Sequence, residues 1–204
     1  MTHRAAGSIS FFLYQKGMIE KDDMDIYQYG FEIFIDSFLE IIMLLLLGIL
    51  WRKLPETVAF VGTFAILRRY TGGYHASTKT RCVLLTIAIY AVNIGISGVL
   101  WRGKEYWILA LAMIGALIIW MSAPVSHTNK KLDKEQKMRC KKISRGISLF
   151  YLVGIFILKE RLIEIGDIIG ITLFQVAILI LVQRGCNRYE ESVRSSKGSW
   201  VKDC

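Results

Sequence analysis

Four apolar runs of nearly membrane-spanning length constrain this chain more than any other feature. They are Ile33–Leu50, Val83–Trp101, Tyr106–Ala123 and Ile168–Gln183. A hydrocarbon core of roughly 30 Å is crossed by about 20 apolar residues in helical form. Only helices or closed barrels satisfy their backbone groups inside lipid, and runs this long without alternation predict helices. Two shorter runs, Leu54–Leu67 and Ile147–Leu158, bring the expected number of spans to about six. The second would reach Ile165 if it continued through Lys159, Glu160 and Arg161. Hydrophobic residues make up 53% of the 204, and mean hydropathy is +0.41. The predicted fold class is therefore an all-α integral membrane protein, a single membrane-embedded domain over residues 1–204.

The first 29 residues read differently. Phe11, Phe12, Leu13, Met18, Ile26 and Tyr27 are scattered among charges, the pattern of an amphipathic helical segment lying at an interface. The apolar stretch around Ile9–Leu13 is too short for the core of a signal peptide.

Charge gives an orientation. With six spans, both termini, residues 68–82 and residues 126–145 share one side, and that side holds 20 of the 26 lysines and arginines. Basic residues concentrate in cytoplasmic loops, so this side is expected to face the cytoplasm. The segment Ser126–Arg145 reads as a basic loop with eight Lys or Arg against Asp133 and Glu135. With the net charge of +9, it is expected to anchor topology and to attract anionic lipid headgroups. Nucleic acid is not an expected partner, because the basic residues flank spans and no recognition fold is available.

Between two apolar runs lies a polar segment, Arg68-Arg69-Tyr70-Thr71-Gly72-Gly73-Tyr74-His75-Ala76-Ser77-Thr78-Lys79-Thr80-Arg81-Cys82. An imidazole and a thiol at one membrane surface are the parts of a nucleophile and its base. Cys82 precedes the apolar run from Val83, which places it in the first turn of a helix that Ser77, Thr78 or Thr80 would cap. The helix start, with Lys79 and Arg81, favours an anion there, the reactive form of a thiol. Gly72-Gly73 supplies the conformational freedom for the chain to turn back and bring His75 to the sulfur. Cys140, Cys186 and Cys204 have no histidine close in sequence and read as free thiols. His3 reads as a solvated terminal residue and His127 as a surface residue. No spacing of Cys and His indicates a metal site, and no cofactor is expected.

The pattern Arg68-Arg69-x-x-x-Gly73-x-His75-Ala76-x5-Cys82 resembles the signature of the AgrB family, membrane-embedded cysteine endopeptidases of Gram-positive quorum sensing. Chain length, the number of apolar runs, Tyr29-Gly30-x-Glu32 before the first span and Ala123-Pro124 ahead of Lys130-Lys131-Leu132 are similar too. The resemblance implies that an AgrD-type propeptide with an acidic tail is cut on its C-terminal side through a thioester. The acyl group then passes to a thiol or hydroxyl within the peptide, closing a thiolactone or lactone. It also implies a homodimer, with Cys82 as nucleophile, His75 as general base, and Arg68 and Gly73 as residues the active site depends on. Glu32, Asp36 and Glu40 recur every four residues along one face of the first span. Glu32 matches a family position carrying Glu or Gln, and is expected either to orient His75 or to pair with Arg68, unless it forms a structural ion pair. The alternative functions are a polytopic peptide transporter or scaffold without proteolysis, favoured by Asp36 and Glu40, and an enzyme transferring acyl groups on lipids through Cys82.

Two weaker patterns concern packing. Gly166-x-x-x-Gly170 reads as a helix-packing face, and Gly95, Ser97 and Gly98 predict close approach of the third span to a neighbour.

Overall fold

A computed structural model describes residues 2–73, 78–100, 105–125, 133–158 and 162–200. Seven α-helices account for nearly all of them: α1 Thr2–Gln15, α2 Met24–Leu50, α3 Leu54–Thr71, α4 Lys79–Leu100, α5 Glu105–Ser122, α6 Lys134–Leu158 and α7 Ile163–Trp200. The all-α class holds, and α2 to α7 carry the six apolar runs in order. The chain divides into two compact units, Met1–Leu54 and Pro55–Cys204.

In the first unit α1 packs on α2. Small residues allow the approach: a Cβ on Gly7 would lie 3.4 Å from Gln28 Nε2. Gln28 Nε2 also donates to the His3 ring at 3.2 Å, so His3, exposed as expected, is in addition a contact between the helices. Phe11 and Phe12 stay exposed, as an interfacial helix requires. Helix α1 stops at Gly17, whose φ of 67° permits the N–H of Met18 to reach the Leu13 carbonyl at 3.0 Å. Along α2, Glu32, Asp36 and Glu40 are all half-buried on one face, while Phe34 and Phe38 are exposed between them.

The second unit is organised around α7, which packs against α4, α5 and α6. Its core joins Leu67 of α3, Ala112 and Ile119 of α5, Ile155 of α6, and Leu173, Val176 and Ile180 of α7. In α7, 67% of the most apolar stretch is buried, against 17% in α4, so α7 is the hub and α4 turns apolar surface outward. Among the helical glycines described, the tightest contact is at Gly115, where a Cβ would come within 2.8 Å of the Phe174 backbone. Gly170 meets Ile108 and Ala112 on the same α5–α7 seam, in agreement with a packing role for the glycines that open the last span. Gly95 and Gly98 have no atom within 4 Å of an added Cβ, so the close approach expected at the third span occurs at Gly115 of α5 instead.

Polar side chains are buried where α4 meets α3 on one side and α7 on the other. Thr57 Oγ1 and the Tyr90 hydroxyl are 2.6 Å apart, and Asn93 Nδ2 donates to Thr172 Oγ1 and Gln175 Oε1, both at 2.9 Å. In lipid such bonds hold helices together where apolar burial cannot.

Among the described residues, three helices are long and apolar enough to cross a membrane by length and composition: those over Lys21–Leu50, Thr80–Gly98 and Ile163–Glu190, with Tyr106–Ser122 a shorter apolar helix. Helix α3 falls outside this set because it carries Glu56, Thr57 and Thr63, all buried; α6 does so because its first half is basic. Exposed Leu117, Met121, Phe150, Phe156 and Ile157 give the second unit the apolar surface a bilayer covers.

Two segments read as irregular are helical. From Lys134 onward the basic loop is the first half of α6, opened by Asp133, whose carboxylate accepts from the Lys134 N–H at 2.7 Å. Glu, Gln, Lys, Met and Arg are good helix formers, so the charge that marks this stretch as solvated also favours a helix. The C-terminal tail likewise continues α7 to Trp200, making a helix of 38 residues and about 57 Å. Helix α6 is described over Lys134–Leu158 and α7 over Ile163–Trp200; Lys159, Glu160 and Arg161, through which the fifth run could continue, lie outside the described residues.

Candidate active site

The polar segment starts in the last turn of α3. Arg68 lies with its guanidinium 5.5 Å from the centre of the Phe64 ring, one turn earlier on the same face. Thr71 Oγ1 donates to the Leu67 carbonyl at 2.9 Å, and the Gly72 N–H closes the helix on the Arg68 carbonyl at 3.1 Å.

Both glycines then adopt backbone that favours glycine, with φ of 70° at Gly72 and 132° at Gly73. Gly72 forms a parallel bridge with Val125, and the Val125 N–H donates to the Thr71 carbonyl at 3.0 Å. A Cβ on Gly72 would collide with the Val125 carbonyl oxygen. The pair does more than make a turn: Gly72 lets the exit of α3 lie against the exit of α5. At Gly73 a Cβ would stand 3.6 Å from Arg68 Nη1 and 3.7 Å from Leu179 Cβ, so Arg68, Gly73 and α7 converge.

The exit of α5 is held from two other helices. Pro124, joined to Ala123 by a cis peptide, has no N–H to offer the Trp120 carbonyl four residues earlier. Arg145 of α6 takes that place, with Nε donating at 3.2 Å and its guanidinium 4.8 Å from the Trp120 ring centre. Arg184 Nη1 of α7 donates to Ser122 Oγ at 2.9 Å. Gly72, Val125, Ser122, Arg145 and Arg184 were not distinguished as site residues by sequence; Pro124 is the one local signal, since its missing N–H demands a donor from elsewhere.

Cys82 stands in the first turn of α4, half-buried. Of the three expected caps, Thr78 serves: its Oγ1 accepts from the Arg81 N–H at 3.4 Å and its carbonyl from the Cys82 N–H at 3.1 Å. Thr86 Oγ1 donates to the Cys82 carbonyl at 3.2 Å one turn on. His75 lies in residues 74–77, outside the described residues, as do His127, Lys130, Lys131 and Cys204. Cys140 and Cys186 are free thiols, as expected. The structure therefore brings Arg68 and Gly73 together and places Cys82 at the helix start that follows them, while Glu32 belongs to the first unit. Among the described residues no group of His, Cys, Asp and Glu is arranged to hold a metal ion.

Comparison with known proteins supports the resemblance carried by the motif. An AgrB-like protein 2 of Clostridium perfringens strain 13 is 31% identical over 141 residues, covering 65% of each chain. An AgrB-like protein of C. perfringens strain SM101 is 30% identical over 141 residues, again covering 65% of each chain. One from Halalkalibacterium halodurans is 25% identical over 173 residues, 83% of this chain and 84% of that protein. The matched region thus spans a little under two thirds of the two clostridial proteins. No solved structure matches the chain. The profile of accessory gene regulator B matches residues 6–182, from α1 to the middle of α7, and the chain is a multi-pass membrane protein of the AgrB family.

Proposed function

We propose that the protein is a membrane-embedded cysteine endopeptidase that cleaves an AgrD-type propeptide and closes the released fragment into a ring, residues 1–204 acting as one peptidase domain. The observation that carries the reading is Cys82 in the capped first turn of α4, following Arg68 and Gly73 packed against α7, in a chain matched to the family over residues 6–182.

In this reaction His75 takes the Cys82 proton, and the sulfur attacks the carbonyl carbon of the scissile bond. The C–N bond breaks, the imidazolium protonates the departing amine, and the acyl group stays on Cys82 as a thioester. A thiol or hydroxyl within the peptide then attacks the thioester. The C–S bond breaks, Cys82 recovers a proton, and the ring closes. Shielding from bulk water favours the internal nucleophile over hydrolysis. Arg68, held between Phe64 and Gly73, supports the site as a fixed positive charge, and Glu32 is a further supporting residue.

The active site and both termini face the cytoplasm in this proposal, in keeping with the side on which basic residues gather. The exposed basic half of α6 meets anionic headgroups and draws the acidic tail of the propeptide. The working form is a homodimer.

Co-expression with the propeptide tests the reading. Cys82→Ala and His75→Ala are each expected to abolish release of the tail while the protein still accumulates in the membrane. Normal cleavage by either variant would remove the peptidase assignment.

A further inference from the structure

Helices α4 and α7 run antiparallel in a register fixed by hydrogen bonds. Asn93 donates to Thr172 Oγ1 at 2.9 Å, and Gln175 Nε2 donates to the Ile89 carbonyl at 3.0 Å. Stepping four residues back along α4 thus moves three forward along α7. Both helices rise 1.5 Å per residue, so the register continues. Eleven residues back from Asn93 is Cys82, and eleven on from Thr172 is Gln183. The candidate nucleophile and Gln183 lie at the same depth. An independent contact marks that end of α7: Leu179, one turn before Gln183 on the same side, is the residue that meets Gly73.

Gln183 is only 3% exposed. Its Nε2 donates to Asn187 Oδ1 at 2.7 Å, which fixes the amide, and its Oε1 is buried without a hydrogen-bond partner among the described residues. Buried amide oxygens are paired as a rule, and the exceptions concentrate where a ligand supplies the missing donor. An amide oxygen accepts and does not donate, so the group that completes it is an N–H or O–H. With the amide nitrogen of Gln183 already engaged by Asn187, a backbone N–H of a peptide lying at Cys82 is a donor of that kind.

We propose that Gln183 is a substrate-positioning residue, its Oε1 accepting a hydrogen bond from a backbone N–H of the peptide beside the bond that Cys82 attacks. The assignment rests on the peptidase reading above and adds a residue to it. An acceptor at the depth of the sulfur fixes the rotation of an extended peptide about its own axis, and so presents one carbonyl to Cys82. A peptide bound without that contact still reaches the thiol, but more weakly.

The test uses full-length protein in liposomes and a synthetic propeptide. Gln183→Met keeps the shape of the side chain and removes the acceptor. Losing one neutral hydrogen bond to substrate is expected to raise KM about two- to tenfold while kcat stays within about twofold. Gln183→Glu keeps an acceptor, which Asn187 accommodates by turning its amide, and is expected to restore KM. Thermal stability without peptide should not fall in Gln183→Met, because that change removes an unpaired oxygen as well as one bond. An unchanged KM in Gln183→Met overturns the inference, as does a fall in stability with wild-type KM in the molecules that remain. Should neither variant accumulate in the membrane, Gln183 serves folding and the inference falls. Cleavage that survives Cys82→Ala would instead sink the peptidase reading, so the two failures are distinguishable.

Discussion

Replacing Gly72 by alanine should break the junction between the exits of α3 and α5. The residue sits at φ 70°, where a side chain costs about 1–2 kcal/mol. The added Cβ also points at the Val125 carbonyl oxygen, so the strands of the bridge must separate. Separation releases the Val125 N–H from the Thr71 carbonyl, a bond worth about 0.5–1.5 kcal/mol net. Together these give a loss of about 1.5–3.5 kcal/mol, a factor of roughly 10 to 300 in the folding equilibrium. Unfolding in mixed detergent micelles, followed by helix content, measures it, with propeptide cleavage as a second readout. Gly185→Ala in α7 is the control: no atom lies within 4 Å of its Cβ, so it should be neutral or stabilise by up to about 1 kcal/mol. If Gly72→Ala unfolds at the same denaturant concentration as the parent, the bridge does not hold the two exits together. The account of why two glycines stand there would then be wrong.

Other outcomes follow from the same geometry. Gly115→Ala is expected to cost about 1–3 kcal/mol, since backbone of α7 faces the new methyl at 2.8 Å, whereas Gly95→Ala should be tolerated; equal stability of the two would contradict the α5–α7 contact. Arg145→Met leaves the Trp120 carbonyl without its donor and should lower stability by about 1 kcal/mol, read in the same micelle assay. An impermeant thiol reagent applied to intact cells should label cysteines placed at 102–105 and fail to label them at 134–145; the reverse pattern would invert the proposed orientation.

The helices themselves were legible from residue order. Apolar runs of sufficient length, Pro55 in the first turn of α3, Thr78 ahead of α4 and glycine at the end of α3 are local signals, and each acts within one or two turns of chain. The candidate site is a local reading as well, because Arg68, Gly73, His75 and Cys82 lie within fifteen residues of sequence, and His75 among them lies outside the described residues. The helical state of Lys134–Arg145 was not legible because a basic stretch anchors topology whether or not it is helical, although the same residues are strong helix formers.

What residue order determined, then, is an all-α membrane chain with a thiol opening one of its helices. Only the tertiary structure decided which faces meet. In a soluble helix the apolar stripe points inward and discloses the packing, but in a bilayer the lipid-facing side is as apolar as the buried side. Nothing in hydropathy separates Gly115, pressed on α7, from Gly95, where an added Cβ would meet no described atom within 4 Å. Nor does it separate Gln183, which is buried, from any other polar residue near the end of a span. Those assignments depend on rotation about the helix axis and on antiparallel register, which side-chain shape and hydrogen bonds such as Asn93 to Thr172 set between segments 79 residues apart.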